Sequence, residues 1–391
     1  MDNDTLLKIL ERDSVDIFSV ESLKKKLESG RKLIIKLGAD PSRPDLHIGH
    51  SVVLRKLKLF QQLGHEIVFV IGDFTGMIGD PSGKSKTRPP LTFEQTRSNG
   101  ETYLKQVVKI LDKDKTRITY NSEWLSKMNF ADVLNLAGKY TVARIMERDD
   151  FAKRFAAKQS IGVHEIFYPL MQGYDSVALH ADIEVGGSDQ TFNLLVGRDL
   201  QKDYGQESQD VITFPLLPGL DGIEKMSKSL DNYIGIDEPA QVMFEKAMKI
   251  PDNLLEDYFR LTTDISENEY KSVMNGDIRQ AHFVYARELV RMYHGEEFIE
   301  DAEKRYHEVA KGGIPDKIDE VVLPSKQYGI CELVKLSGLS SSNGDARRLI
   351  QGRGIKINNS VIEDIQMTVD GKEDIIIGRG KNKFVKVIFE N

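Results

Sequence analysis

Lys32-Leu-Ile-Ile-Lys36-Leu-Gly38-Ala-Asp40-Pro-Ser42-Arg-Pro-Asp-Leu-His47-Ile-Gly49-His50 is the stretch on which the reading of the chain turns. Lys32 to Lys36 is a short apolar run closed by Gly38, which reads as a buried strand. From Val52 to Leu63 the apolar residues Leu54, Leu57 and Phe60 fall at helical spacing, with Gln61 beside them and a stop at Gly64. Between them lies a polar, glycine- and proline-bearing loop. Strand, loop and helix in this order form half of a β-α-β unit. Glu66 to Ile71, ending in Gly72, and Val211 to Leu217 read as further buried strands. Buried runs separated by helices imply a doubly wound parallel sheet, whose ligands sit beyond the carboxyl ends of the strands. The segments 38–50 and 72–88 fall at that edge.

The 391 residues allow two or three domains, and 40% hydrophobic with 29% charged residues is a soluble composition. No apolar run approaches a membrane span, and the acidic start Met1-Asp-Asn-Asp lacks the pattern of a secretory signal. The single cysteine, Cys331, excludes an internal disulfide and a cysteine-built zinc site, which suits a reducing cytoplasm. Net charge is −7, but 326–391 holds eleven Lys/Arg against eight Asp/Glu, so that end is +3 and the remainder −10. A basic end on an acidic chain fits either a nucleic-acid surface or a solvated face.

Past Pro239 the strand pattern gives way to helix as far as about Ala310. Asp277 can cap the helical run that follows it, and Gly295 can end it. Lys311-Gly-Gly-Ile-Pro-Asp opens an expected linker to about Gln327. The last block then reads as two short helices, 330–336 and 345–351, and a strand at 354–357 entering a turn at Asn358-Asn359. There is no internal repeat.

Two motifs carry chemistry. His47 and His50, three apart at a helix start, share a face and can donate to phosphate oxygens beside the free amides of that start. Gly49 would let a ring approach the backbone. H-x-x-H alone also fits two incidental surface histidines; zinc ligation lacks a third ligand. Lys225-Met226-Ser227-Lys228-Ser229 has loop composition, and its lysines could close over a triphosphate and stabilise departing pyrophosphate. A solvated basic loop is the plain alternative.

Together and in this order the motifs resemble the paired signatures of class I aminoacyl-tRNA synthetases. From about Lys32 to the end the chain resembles the bacterial tyrosyl-tRNA synthetases within that class. Thr75-Gly-Met-Ile-Gly-Asp80-Pro-Ser-Gly-Lys84, Tyr168-Pro-Leu-Met-Gln172-Gly-Tyr-Asp175 and Gly186-Gly187-Ser188-Asp189-Gln190 carry the likeness. The resemblance implies catalytic roles for His47, His50, Lys84, Arg88, Lys225 and Lys228. It implies ATP contacts by Asp40, Ser42, His47, Gly49, His50, Gly187, Asp189, Met226 and Lys228. It implies tyrosine contacts by Lys36, Gly38, Thr75, Asp80, Tyr168, Gln172, Asp175 and Gln190, with Asp80 on the α-ammonium and Asp175 on the phenol hydroxyl. Many members have a tyrosine where this chain has Lys36, which leaves the second partner of that hydroxyl open; the small Ala39 also replaces a residue that is often larger. The final block resembles the S-four type RNA-binding module, with Arg347, Arg348, Arg353 and Lys356 facing phosphate.

The implied organisation is a Rossmann-like catalytic domain (1–230), an α-helical anticodon-binding domain (231–325) and a small α+β RNA-binding domain (326–391). The implied substrates are L-tyrosine, ATP with Mg2+ carried on its phosphates, and tRNA(Tyr); no zinc or organic cofactor is expected, and the enzyme would be a homodimer. Other readings are a synthetase for another aromatic amino acid, an RNA-binding regulator without catalysis, and a nucleotidyltransferase that does not use tRNA.

Overall fold

The computed structural model describes residues 2–41, 45–80, 91–310, 318–380 and 383–390. Two compact units emerge: Met1–Glu238 with Lys246–Tyr293, and Pro239–Glu245 with His294–Asn391. Contacts thus divide the helical stretch 231–325 between the units.

The first unit is built on a six-stranded sheet of β1 (Asp16–Phe18), β2 (Ile34–Ala39), β3 (Glu66–Ile71), β4 (Thr116–Tyr120), β5 (Ile183–Gly187) and β6 (Asp210–Phe214). The spatial order is β1-β6-β5-β2-β3-β4. β2 to β6 are parallel, and β1 adds an antiparallel edge on β6, a strand the sequence reading did not anticipate. Ile67 to Ile71 are buried on both sides of β3, so both faces of the sheet are covered. The chain leaves β2 for β3 and β4 on one side and returns to β5 and β6 on the other. A crevice therefore opens at the carboxyl ends of β2 and β5.

The helix Ile48–Gln62 follows β2 and begins at His47, its N-cap. It buries Ile48, Val52, Leu54, Leu57 and Phe60. Gln61 is buried on the same stripe because its side chain bonds the Asp112 backbone and Thr116. The helix Ile278–Tyr293 is capped as expected: Asp277 Oδ1 accepts from the Arg279 amide at 2.9 Å, and Gly295 beyond it takes φ +112°.

In the second unit, residues Ser360–Val361, Ile355–Ile357, Ile375–Arg379, Lys383–Glu390 and Asp319–Pro324 form a five-stranded sheet in that order. Asp319–Pro324 lies inside the stretch read as a linker. It is a strand, parallel to Lys383–Glu390, because Val321 and Leu323 alternate inward onto the core. The helices Ile330–Leu336 and Asn343–Gln351 complete the block, and Asn358 and Asn359 take φ 44° and 71° in the turn after Ile357.

Asp13 ties the first unit together. It ends the helix Asn3–Asp13, is fully buried, and accepts from Arg12 at 2.8 Å, from Arg260 of the helix Leu255–Thr262 at 3.0 Å, and from Lys56. Burial pushes its carboxyl upward, but the hydrogen bond from Arg12 and the charge of Lys56 bring it below the ordinary value. Asp13→Ala leaves Lys56 buried without its acid and is expected to cost about 3–5 kcal/mol. Urea unfolding near neutral pH should show a lowered midpoint, and the deficit should shrink as acid protonates Asp13 in the wild type. Equal midpoints would remove Asp13 as a determinant of the fold.

Candidate active site

A cavity of about 320 Å3 occupies the crevice beyond β2 and β5. Acids reach it from several elements: Asp40 after β2, Asp80 beyond the turn after β3, Asp175 from the helix Val163–Leu179, and Glu184 and Asp189 from β5 and the turn after it. Gly38 at the end of β2 lines it too, and the space where its Cβ would stand is open.

Asp40 accepts from the Thr75 hydroxyl at 2.7 Å and from the Tyr168 hydroxyl at 2.9 Å. Gly72 is dictated by this packing, since any Cβ there would collide with Asp40 Oδ1 and Thr75 Oγ1. Burial lifts the Asp40 carboxyl to about 7, with the charges of Asp80 and Asp175 adding to the rise and the bonds from Thr75 and Tyr168 opposing it. Asp175 is 3% exposed. It accepts from the Trp124 indole at 2.8 Å and from the Asn121 amide at 3.4 Å. Burial lifts it to about 7 as well, moderated by Lys36 and by those two donors.

Asp80 accepts from the Gln190 amide at 2.9 Å. Gln172 lies one helical turn from Asp175, and its Oε1 is buried with no hydrogen-bond partner among the described residues. A buried amide oxygen without a donor is costly unless a ligand supplies one. An ammonium group between Gln172 and Asp80 would do so. Lys36 departs from the expectation of a tyrosine contact. It is fully buried and absent from the cavity wall, held at 2.9 Å by Glu184 and donating to the Gln172 carbonyl and the Ser176 hydroxyl.

The histidine motif forms the mouth of the helix Ile48–Gln62. The His47 amide donates to His50 Nδ1 at 3.2 Å, and the two rings lie 3.9 Å apart. Burial, aided by the neighbouring lysines, lowers His50 to about 4 and takes His47 well below its usual value. Both are neutral at physiological pH. With Nδ1 accepting, His50 carries its proton on Nε2 and can donate there. Gly49 makes room for the His47 ring, whose Nδ1 would lie 2.9 Å from an added Cβ.

In the lysine motif, Lys225 pairs with Asp189 at 2.7 Å and Lys228 with Asp45 at 3.4 Å. Met226 is buried, against the plain loop reading. Its amide donates to Leu217, and its Cβ would lie 3.6 Å from a side chain at position 49. Gly187 and Asp189 line the cavity from the end of β5 and the turn that follows it. Ser42, Lys84 and Arg88 lie outside the described residues. Arg347, Arg348 and Arg353 are exposed in the second unit, with Lys356 half-buried on the strand Ile355–Ile357. Arg348 is 3.4 Å from Asp345, and Arg353 is 2.7 Å from Glu363.

Sequence reasoning missed Asn121, Trp124 and Glu184. The first two follow β4, whose Thr-Arg-Ile-Thr-Tyr alternation was a usable strand signal. Glu184 interrupts β5, where a charge disguised the apolar run.

The family profile of class I tRNA synthetases (W and Y) matches residues 28–311. The chain belongs to this family. Among curated relatives, a tyrosine–tRNA ligase of Deinococcus radiodurans is 52% identical, with 98% of this chain and 96% of that one covered. One of Shewanella oneidensis is 50% identical, with 99% of each covered. The solved tyrosyl-tRNA synthetase of Archaeoglobus fulgidus, complexed with L-tyrosine, aligns with a TM-score of 0.63 at 24% identity over 78% of this chain and all of that one, a likeness of fold. As a class I synthetase the protein uses ATP as a substrate. No helix among the described residues is long and apolar enough to cross a membrane.

Asp40 and Asp175 hold protons more tightly folded than unfolded. Their contribution to stability is therefore present at low pH and lost as pH rises from about 3.8 through about 7. Asp40→Asn and Asp175→Asn should melt above the wild type at pH 8 and converge with it in acid, as thermal scans without ligand would show. Melting curves for the variants that keep the wild-type pH dependence would refute the shifted carboxyls.

Proposed function

We infer that the protein is a tyrosine–tRNA ligase. The observation that carries this reading is the buried Asp175 carboxyl on the cavity wall, in a chain about half identical over its length to tyrosine–tRNA ligases. Asp175 receives the phenol hydroxyl, and a phenylalanine in its place leaves a buried carboxyl short of a donor. The α-ammonium lies against Asp80 and Gln172, near Tyr168, Thr75 and Gln190. ATP lies along Gly49 and the start of the helix Ile48–Gln62, against Asp40, Gly187, Asp189 and Met226, with Mg2+ on its phosphates.

The tyrosine carboxylate attacks the α-phosphorus, and the bond to the β-phosphate oxygen breaks. No general base is needed, because the nucleophile is already ionised. His47 and His50 act as neutral donors, which suits a site where charge grows on oxygen during the step. Lys225 and Lys228 exchange Asp189 and Asp45 for the departing pyrophosphate. The terminal ribose hydroxyl of the tRNA then attacks the tyrosyl carbonyl and AMP leaves.

The second unit binds tRNA through Arg347, Arg348, Arg353 and Lys356. A homodimer is supported by the exposed Phe130, Leu134, Val142, Phe155 and Val163, an apolar set concentrated between 130 and 163. The cytoplasm is its proposed location.

ATP–pyrophosphate exchange should require tyrosine, with phenylalanine poorer by about 10⁴-fold or more. Lys228→Ala should slow adenylation more than it weakens tyrosine binding. Comparable exchange with tryptophan or phenylalanine would exclude the tyrosine reading. For the RNA end, the strand Asp319–Pro324 fixes where to cut. Removal of residues 318–391 should leave exchange largely intact and lower tRNA charging. In the full chain, Arg347→Ala with Arg348→Ala should reduce the salt slope of tRNA binding by about one per lost phosphate contact. An unchanged slope would make these arginines a solvated surface.

A further inference from the structure

Lys36 and Glu184 face each other directly across the switch point of the sheet, in register between β2 and β5. Both are fully buried. A charged pair is out of place there. Central parallel strands ordinarily carry Val, Ile or Leu, and a buried ion pair contributes little stability over an apolar substitute. Its contacts point to the amino-acid pocket. The Lys36 ammonium lies 2.9 Å from Glu184 Oε1, 2.9 Å from the Gln172 carbonyl and 2.8 Å from Ser176 Oγ. Ser176 Oγ in turn donates to Glu184 Oε2 at 3.0 Å, and Gln209 donates to the same oxygen. Residues 172 and 176 bracket Asp175 on the helix Val163–Leu179.

We propose that Lys36 and Glu184 are a positioning pair for the amino-acid pocket: Lys36 clamps the helical turn that presents Gln172 and Asp175, and the opposed charges of the pair set the charge of Asp175 and so its capacity to accept a phenol hydroxyl. Lys36 thus acts on the substrate hydroxyl through Asp175, from behind the wall. The inference rests on the tyrosine reading of that pocket. The groups facing Asp175 are Lys36 on β2, Glu184 on β5, Asn121 and Trp124 after β4, and the Asp40–Tyr168 pair. Lys36 holds the Asp175 carboxyl down and Glu184 pushes it up, against the larger upward effect of burial.

The two charges therefore predict opposite outcomes. Tyrosine-dependent ATP–pyrophosphate exchange, measured from about pH 6 to 9, gives kcat/KM for tyrosine as a profile that rises with ionisation of Asp175. Lys36→Met should move that rise to higher pH and, near pH 7, raise the tyrosine KM about tenfold, with the ATP KM unchanged and phenylalanine less strongly rejected. Glu184→Gln should move the rise to lower pH. Asp40 also lies at about 7 in the wild type, but the pair acts on Asp175, while Asp40 answers to burial, Thr75, Asp80, Tyr168 and Asp175, so opposite shifts in the two variants report Asp175. Shifts of the same sign in both variants, or none, would overturn the proposal, since a purely structural pair moves both alike. If Lys36→Met does not fold, Ser176→Ala removes one anchor of Lys36 and keeps the charges. A raised tyrosine KM there supports the clamp, and an unchanged one refutes it. Wild-type exchange that does not need tyrosine would remove the underlying reading; tyrosine-dependent exchange with unshifted variants removes only the positioning pair.

Discussion

The carboxyl groups of Asp40, Asp80 and Asp175 share one cavity, and much of the surrounding structure answers that constraint. The charges of Asp80 and Asp175 oppose charge on Asp40, and burial penalises charge on Asp40 and Asp175 further. The fold responds with hydrogen-bond donors: Thr75 and Tyr168 on Asp40, Gln190 on Asp80, and Asn121 and Trp124 on Asp175. These donors come from four different parts of the chain, so the acids can be satisfied only once the sheet is assembled. Without ligand the acids sit in an unfavourable electrostatic environment. A substrate that brings an ammonium and a hydroxyl relieves it, so the pocket selects the ligand that completes its own hydrogen bonding.

The cationic side of the site is arranged with opposite economy. The histidines are stripped of charge by burial, and the lysines of the second motif rest on Asp45 and Asp189. Positive charge is thus available in exchangeable pairs, close to where a polyanion would lie. Met226, seated beside Gly49, links the two motifs through apolar packing and keeps them in register.

Much of this was legible in sequence because glycine and periodicity punctuate it. The apolar run before Gly38 and the helical spacing from Val52 placed the strand, the loop and the helix. The Asp277 cap and the Asn358-Asn359 turn declared themselves through residue type. What stayed hidden depended on tertiary pairing. β1 is three residues long, too short for a pattern. β5 contains a buried glutamate whose lysine partner lies 148 residues earlier in the chain. Asn121 and Trp124 look like ordinary loop residues until β4 brings them to the edge where Asp175 arrives. The strand Asp319–Pro324 reads as linker in sequence because its partner strand, Lys383–Glu390, lies about sixty residues further on.

That last pairing has a consequence for how the protein is made. Among the described residues Asp319–Pro324 pairs with the strand Lys383–Glu390, so the opening strand of this block must wait through about sixty residues of synthesis. During that interval Val321 and Leu323 lack their neighbour strand, while the six strands of the first unit have long since been synthesised. The order of translation therefore favours a first unit that is folded before the last block of the chain can close. The tail block must form late, through a contact that spans its whole length.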